Sequence, residues 1–144
     1  MTSVVTDDEL RAILTRFRRI AVVGLSDNPA RPSYGVARYL IEQDYDVVGV
    51  NPNLAGQSVL GRPIYAALTD LPEPPEIVDV FRRSQFVARV VDDAIAAGAR
   101  VVWTQLGVKD DTAAERGRAA GLRVVQNRCT AIEHERLLGG APFL

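Results

Sequence analysis

Cysteine and histidine are almost missing from this 144-residue chain, each occurring once, as Cys129 and His134. One cysteine excludes an internal disulfide framework, and one histidine leaves no basis for a His-rich metal site. An excess of charge of either sign is missing too. With 17 Lys and Arg against 18 Asp and Glu, the net charge is −1, which gives no support for non-specific binding to nucleic acid. Long apolar runs are absent: none approaches a membrane span, and the start, MTSVVTDDELRA, has no basic segment followed by an apolar stretch. The expectation is a soluble, cytoplasmic protein. What is present is ordinary for a globular protein, 47% hydrophobic and 24% charged residues. The length suits a single domain over 1–144, which removes roughly two-thirds of the unfolded chain's surface from water and leaves no room for a second, catalytic domain.

Within that chain, Ile20 to Ile41 sets the organisation. An apolar, β-branched run breaks at Gly24 into a polar loop with two prolines. It resumes as an amphipathic helix, Tyr34 to Gln43, with Val36/Leu40 and Ala37/Ile41 spaced four apart. In a parallel sheet such a loop lies at the carboxyl end of the strand, where backbone N–H groups and the positive end of the helix dipole converge on an anion. Dinucleotide and P-loop fingerprints are both absent: Ser26 stands where G-x-G-x-x-G needs its second glycine, and no G-x-x-x-x-G-K-[ST] occurs. The loop Ser26 to Ser33 instead offers hydroxyls, the Asn28 amide and the Arg31 guanidinium, groups that cradle phosphate, with Ser33 the expected helix N-cap. Asn-Pro and Arg-Pro are also ordinary turn formers, and the loop alone leaves both readings open.

The remaining elements alternate. Thr6 to Glu9 matches a capping box before a helix with Leu10, Ile13, Leu14 and Phe17 on one stripe. Strands are expected at Ile20 to Leu25, Asp46 to Val50, Ile77 to Phe81, Val101 to Gln105 and Leu122 to Gln126, with Gln57 to Tyr65 a loop holding a short extended piece. Helices follow the last three, capped by Ser84, by Thr112 with Glu115, and over Ala131 to Leu138, before a GGAPFL tail. These elements give an α/β fold: a Rossmann-like three-layer α/β/α sandwich on a five-stranded parallel sheet of order 3-2-1-4-5. That order makes the third strand an edge, the cheaper place for Asp79 inside an apolar run, and leaves strands three and five available to a homo-oligomer or a protein partner. At the end of the second strand, Asn51-Pro52 replaces the ribose-binding carboxylate of NAD-binding folds, although Asn-Pro also simply terminates strands. Trp103 and Gln105 fall on one side of the fourth strand and read as scaffold before pocket lining.

IAVVGLSDNPARPSYGVARYL, VVGVNP, LGRPIY, LPEPPEIVDVFR, VVWTQLGV and VVQNRCTAIE, in this order and spacing over about Leu14 to Leu137, resemble the small YccU-like CoA-binding proteins. These are similar to the N-terminal CoA-binding domain of the succinyl-CoA synthetase α subunit. The resemblance implies a coenzyme A pocket at the carboxyl edge. Gly24, Ser26, Arg31 and Ser33 match its first phosphate-binding loop, Val50, Asn51 and Pro52 its second, and Phe81 and Arg82 a third near adenine and pantetheine. No counterpart of the ligase's phosphohistidine domain or ATP-binding subunit occurs in the chain, and His134 matches no catalytic histidine, so ligase activity is not implied. Three readings follow: a noncatalytic module for CoA or an acyl-CoA acting as carrier, sensor or regulator; an NAD(P)-dependent reductase; and a redox-regulatory protein working through Cys129, which otherwise reads as a packed side chain.

Overall fold

In the computed structural model, residues 5–139 are described; the expectations for residues 1–4 and for the tail beyond Gly139 lie outside them. The chain runs α1 (Asp7–Arg16), β1 (Arg19–Val23), α2 (Pro32–Glu42), β2 (Asp46–Val50), β3 (Ser58–Val59), β4 (Arg62–Tyr65), β5 (Ile77–Val80), α3 (Val87–Ala96), β6 (Val101–Thr104), α4 (Asp111–Ala119), β7 (Arg123–Val125) and α5 (Thr130–Leu138). The seven strands form one sheet in the order β3-β4-β2-β1-β5-β6-β7, parallel except for the β3/β4 hairpin. Because side chains alternate across a strand, the sheet buries two cores. Ile20, Val22, Val47, Ile77 and Trp103 pack against Leu10 of α1, Val36 of α2 and Ala131 of α5. Ala21, Val23, Val78, Val80 and Val102 pack against Val87 of α3 and Ala113 of α4 on the other face.

The sheet differs from the expected five strands in one consequential way. β4, from the segment read as loop, occupies the outer side of β2, pairing Gly49 with Ile64. The third expected strand, β5, therefore lies against β1, Ile20 opposite Ile77, and not at an edge. Its composition explains the preference: all four residues of β5 are buried, which an edge would not allow. The described edges are β3 and β7, and the strand order reverses between β1 and β5.

Of the capping expectations, the first holds: Thr6 caps α1, accepting from the Glu9 amide at 3.2 Å. The other three change. α2 begins earlier than expected, because Pro32 at its first position has the backbone angle a helix needs, and Arg31 becomes the N-cap without a side-chain bond. Ser33 is thereby freed from capping. Ser84 opens a 3-10 turn ahead of α3 and accepts from the Lys109 amide at 2.9 Å, while Asp110, not Thr112, caps α4 through the Ala113 amide.

At the carboxyl end of β1, Gly24 donates its N–H to Val50 O at 2.8 Å with φ +91°. A Cβ there would sit 2.4 Å from Phe81 O. Gly24→Ala is expected to cost about 3 kcal/mol in urea denaturation, adding a backbone clash to the left-handed penalty. Gly56→Ala, at φ +83° with open space around it, is expected to cost only about 1 kcal/mol.

Asp79, displaced from its expected edge to the sheet centre, is 0% exposed. Thr130 Oγ1 donates to its Oδ2 at 2.8 Å and Gln105 Nε2 donates to its Oδ1. Burial pushes its pKa up to about 7, against the opposing pull of these two hydrogen bonds. Between about pH 4 and pH 7 the native carboxyl then holds a proton that the unfolded one has released, so its contribution to stability falls as pH rises. Compared with Asp79→Asn, the wild-type protein is expected to lose stability across that interval and to level off above it in denaturation series. A relative stability that rises with pH would show the reverse shift.

Candidate functional site

The β1–β5 switch point places three strand ends side by side, and two cavities flank it. On the α2/α5 face lies a cavity of about 680 Å³ lined by Gly24, Ser26, Arg31, Pro32, Ser33, Val36, Phe81, Gln105, Leu106, Val108, Cys129 and Ile132. Its two ends differ in chemistry.

The loop end is polar and internally braced. Ser33 Oγ, 4% exposed, accepts the Ser26 N–H at 3.0 Å, and Ser26 Oγ accepts the Asn28 N–H at 3.0 Å. Asn28 Oδ1 in turn accepts the Ala30 N–H at 2.9 Å. Each serine oxygen thus serves as an acceptor within the loop and keeps its hydroxyl hydrogen to donate. Arg31 is exposed and has no ion pair among the described residues. The first turn of α2 adds its dipole beside this guanidinium, and donors of this kind favour negative charge. The other end, Val36, Leu106, Val108, Cys129 and Ile132, is apolar except for the edge of Gln105.

On the α3 face a second cavity, about 300 Å³, is lined by residues including Val23, Val50, Pro52, Ala66, Arg82, Phe86 and Arg89. The Arg82 guanidinium lies over the Phe86 ring, 4.3 Å from its centroid. Neither Arg82 nor Arg89 has an ion pair among the described residues.

A third cavity, about 270 Å³, opens at the amino end of the sheet near Arg19, Ile20, Asp46 and Arg62. Its cations are already engaged: Arg62 pairs with Asp46 and donates to Val47 O, and Arg19 donates to Pro74 O at 3.1 Å. Arg31, Arg82 and Arg89 at the two carboxyl-edge cavities are, by contrast, without an ion pair among the described residues.

The sequence-derived residues divide among these places. Gly24, Ser26, Arg31, Ser33 and Phe81 line the first cavity; Val50, Pro52 and Arg82 line the second. Asn51 lines neither. It ties the ends of β1 and β2 together, its Nδ2 donating to Leu25 O at 3.0 Å and its Oδ1 accepting from the Asn53 amide at 2.9 Å.

Gln105 and Thr130 are not among the site residues read from sequence. The available signal is alternation: Asp79 lies on the side of Ile77, and Gln105 on the side of Trp103, facing one core. Placing the third strand at an edge conceals their meeting.

Cys129 is 6% exposed, and burial raises its pKa, so its sulfur is a protonated thiol against the cavity wall. His134 is 6% exposed, packed edge-on against Tyr39 and Tyr45, with Nδ1 2.8 Å from Tyr39 Oη and its pKa lowered by burial. It braces α5 against α2. Among the described residues no cluster of His, Cys, Asp and Glu is arranged to hold a metal ion, and no helix is long and apolar enough to cross a membrane.

Comparison with known proteins bears on the fold and the family. The uncharacterized protein YneT of Bacillus subtilis is 34% identical over 126 residues, 88% of this chain and 92% of its own. A hypothetical protein of Pyrococcus horikoshii superposes with a TM-score of 0.89 at 42% identity, covering 96% of this chain and all of its own (100%). At 23% identity and a TM-score of 0.62, an acetyl-coenzyme A synthetase of Ca. Korarchaeum cryptofilum shares the fold over 73% of this chain and 25% of its own. The family model described as a CoA binding domain matches residues 18–135. This chain belongs to the CoA binding domain family.

Proposed function

We propose that the protein binds coenzyme A or an acyl-CoA across the carboxyl edge of its sheet, as a noncatalytic module that carries, senses or reports the ligand. The observation that carries this reading is the two-ended character of the first cavity. An unpaired guanidinium, two hydroxyls and a helix N-terminus form one end, and an apolar wall forms the other. A ligand with phosphates at one end and a thin, weakly polar arm at the other satisfies both ends. Coenzyme A has that form, and family membership points to the same ligand.

In this reading Gly24, Ser26, Arg31 and Ser33 hold the pyrophosphate, and Phe81 guides the arm over the sheet edge. Val50, Pro52 and Arg82 enclose the nucleotide end in the second cavity. There the unpaired Arg82 and Arg89 supply charge for a further phosphate. Asn51 acts by holding the ends of β1 and β2 in register. No ribose-binding carboxylate stands at the end of β2, so a more anionic nucleotide than NAD is favoured there. The apolar character of the wall beside the arm, which offers no charged acid or base, supports a binding role. A cytoplasmic location belongs to the same reading, in keeping with an unpaired thiol.

Thermal shift with CoA, acetyl-CoA, NAD and NADP tests it. CoA or acetyl-CoA at about 100 times its dissociation constant is expected to add about 2.7 kcal/mol of stability, with the dinucleotides ineffective. Arg31→Ala and Arg82→Ala are each expected to weaken CoA binding roughly tenfold, the worth of a charge-assisted hydrogen bond. Stabilisation by NAD or NADP with none by CoA would redirect the assignment to a reductase.

A further inference from the structure

At the apolar end of the first cavity one polar group stands out. Gln105 is 7% exposed, and its side-chain amide is fixed by two neighbours. Nε2 donates one hydrogen to Asp79 Oδ1 and the other to Thr130 Oγ1 at 3.2 Å. The Thr130 hydroxyl hydrogen is itself spent on Asp79 Oδ2 at 2.8 Å. With Asp79 ionised, the three side chains close a ring in which every donor hydrogen is used. In that state, turning the amide over would set Oε1 against two oxygens that have no hydrogen to offer it, so the ionised ring also fixes which atom points away from it.

That atom, Oε1, has no hydrogen-bond partner among the described residues. It is not sealed in the core either, since no enclosed side-chain polar atom of the described residues lacks a partner. Gln105 lines the cavity, so Oε1 is the acceptor presented there, among Leu106, Val108, Cys129 and Ile132. An unmatched acceptor in an apolar wall costs little when wet but discriminates strongly once a ligand displaces the water.

We propose that Gln105 is a specificity-determining residue whose Oε1, oriented by Asp79 and Thr130, accepts a hydrogen bond from an N–H or S–H donor on the arm of the bound ligand. The inference rests on the CoA reading, in which that donor is an amide of the pantetheine arm or its terminal thiol. Asp79 and Thr130 are positioning residues: they do not line the cavity, and they act through the Gln105 amide. The ring also explains why a carboxylate is kept at the centre of the sheet, where burial alone disfavours it.

Calorimetric titration at pH 8, with Asp79 ionised, tests the assignment using CoA, desulfo-CoA and adenosine 3′,5′-bisphosphate, the last of which carries the nucleotide end without the arm. Gln105→Met keeps the length and removes the acceptor. It is expected to weaken CoA about tenfold and to leave the bisphosphate unchanged. Asp79→Asn keeps the shape and releases the amide; a smaller loss for CoA, again with the bisphosphate unchanged, is expected. If wild type prefers CoA to desulfo-CoA and Gln105→Met abolishes the preference, the donor is the thiol. If both ligands weaken together in Gln105→Met, the donor is an amide of the arm. Undiminished CoA affinity in Gln105→Met, or equal losses for CoA and the bisphosphate, would overturn the proposal and leave the CoA reading standing. Failure of wild type to bind either CoA or the bisphosphate would instead remove the reading on which it rests.

Discussion

The carboxyl edge of this sheet depends on one close approach. Gly24 is bonded to Val50 on one side and lies against the Phe81 carbonyl on the other, with no room for a Cβ. Three strand ends meet within that contact. The chain can leave β1 there only through a left-handed residue, which sends the loop from Ser26 to Ser33 over the α2 face and brings Arg31 to the cavity mouth. A wider junction would separate the loop from Phe81 and Arg82 and split the edge into unrelated clefts. The site is therefore a consequence of strand packing before it is a matter of side-chain chemistry, in keeping with the tendency of open α/β sheets to bind at their switch points.

Polar groups at this edge are arranged on two different principles. In the loop, backbone N–H groups are satisfied by serine and asparagine oxygens, which stiffens the segment and leaves hydroxyl hydrogens and a guanidinium for a ligand. Behind the apolar wall, a buried carboxylate, an amide and a hydroxyl satisfy one another and leave a single oxygen over. The first arrangement attracts charge. The second costs stability through the desolvated carboxylate and gives geometric definition in return, the exchange by which buried polar groups specify an orientation.

Much of this is legible in the sequence. The strand–loop–helix unit from Ile20 to Ile41, the Thr6 cap and the α/β alternation all depend on local chemistry, and the structure carries each of them. Long-range choices are harder to read. The position of β5 is decided by β4, whose four residues, Arg-Pro-Ile-Tyr, carry no strong periodic signal yet fill the outer side of β2. An edge position for Asp79 hides the ring around it, because a carboxylate facing water needs no partner. For Ser33 the sequence marks the residue but not its role: Pro32 starts the helix, and the hydroxyl braces Ser26 instead of capping. The ends of strands and helices are legible; which ends meet is not.

If coenzyme A lies across the edge centred on Gly24, backbone amide NMR of the protein titrated with CoA resolves the placement residue by residue. Saturable shifts are expected at Gly24, Ser26, Arg31 and Ser33 on one side of the sheet and at Arg82 on the other, with Arg19 and Arg62 at the amino-end cavity unmoved. Shifts confined to Arg19, Arg62 and their neighbours, or none at saturating CoA, would contradict that placement.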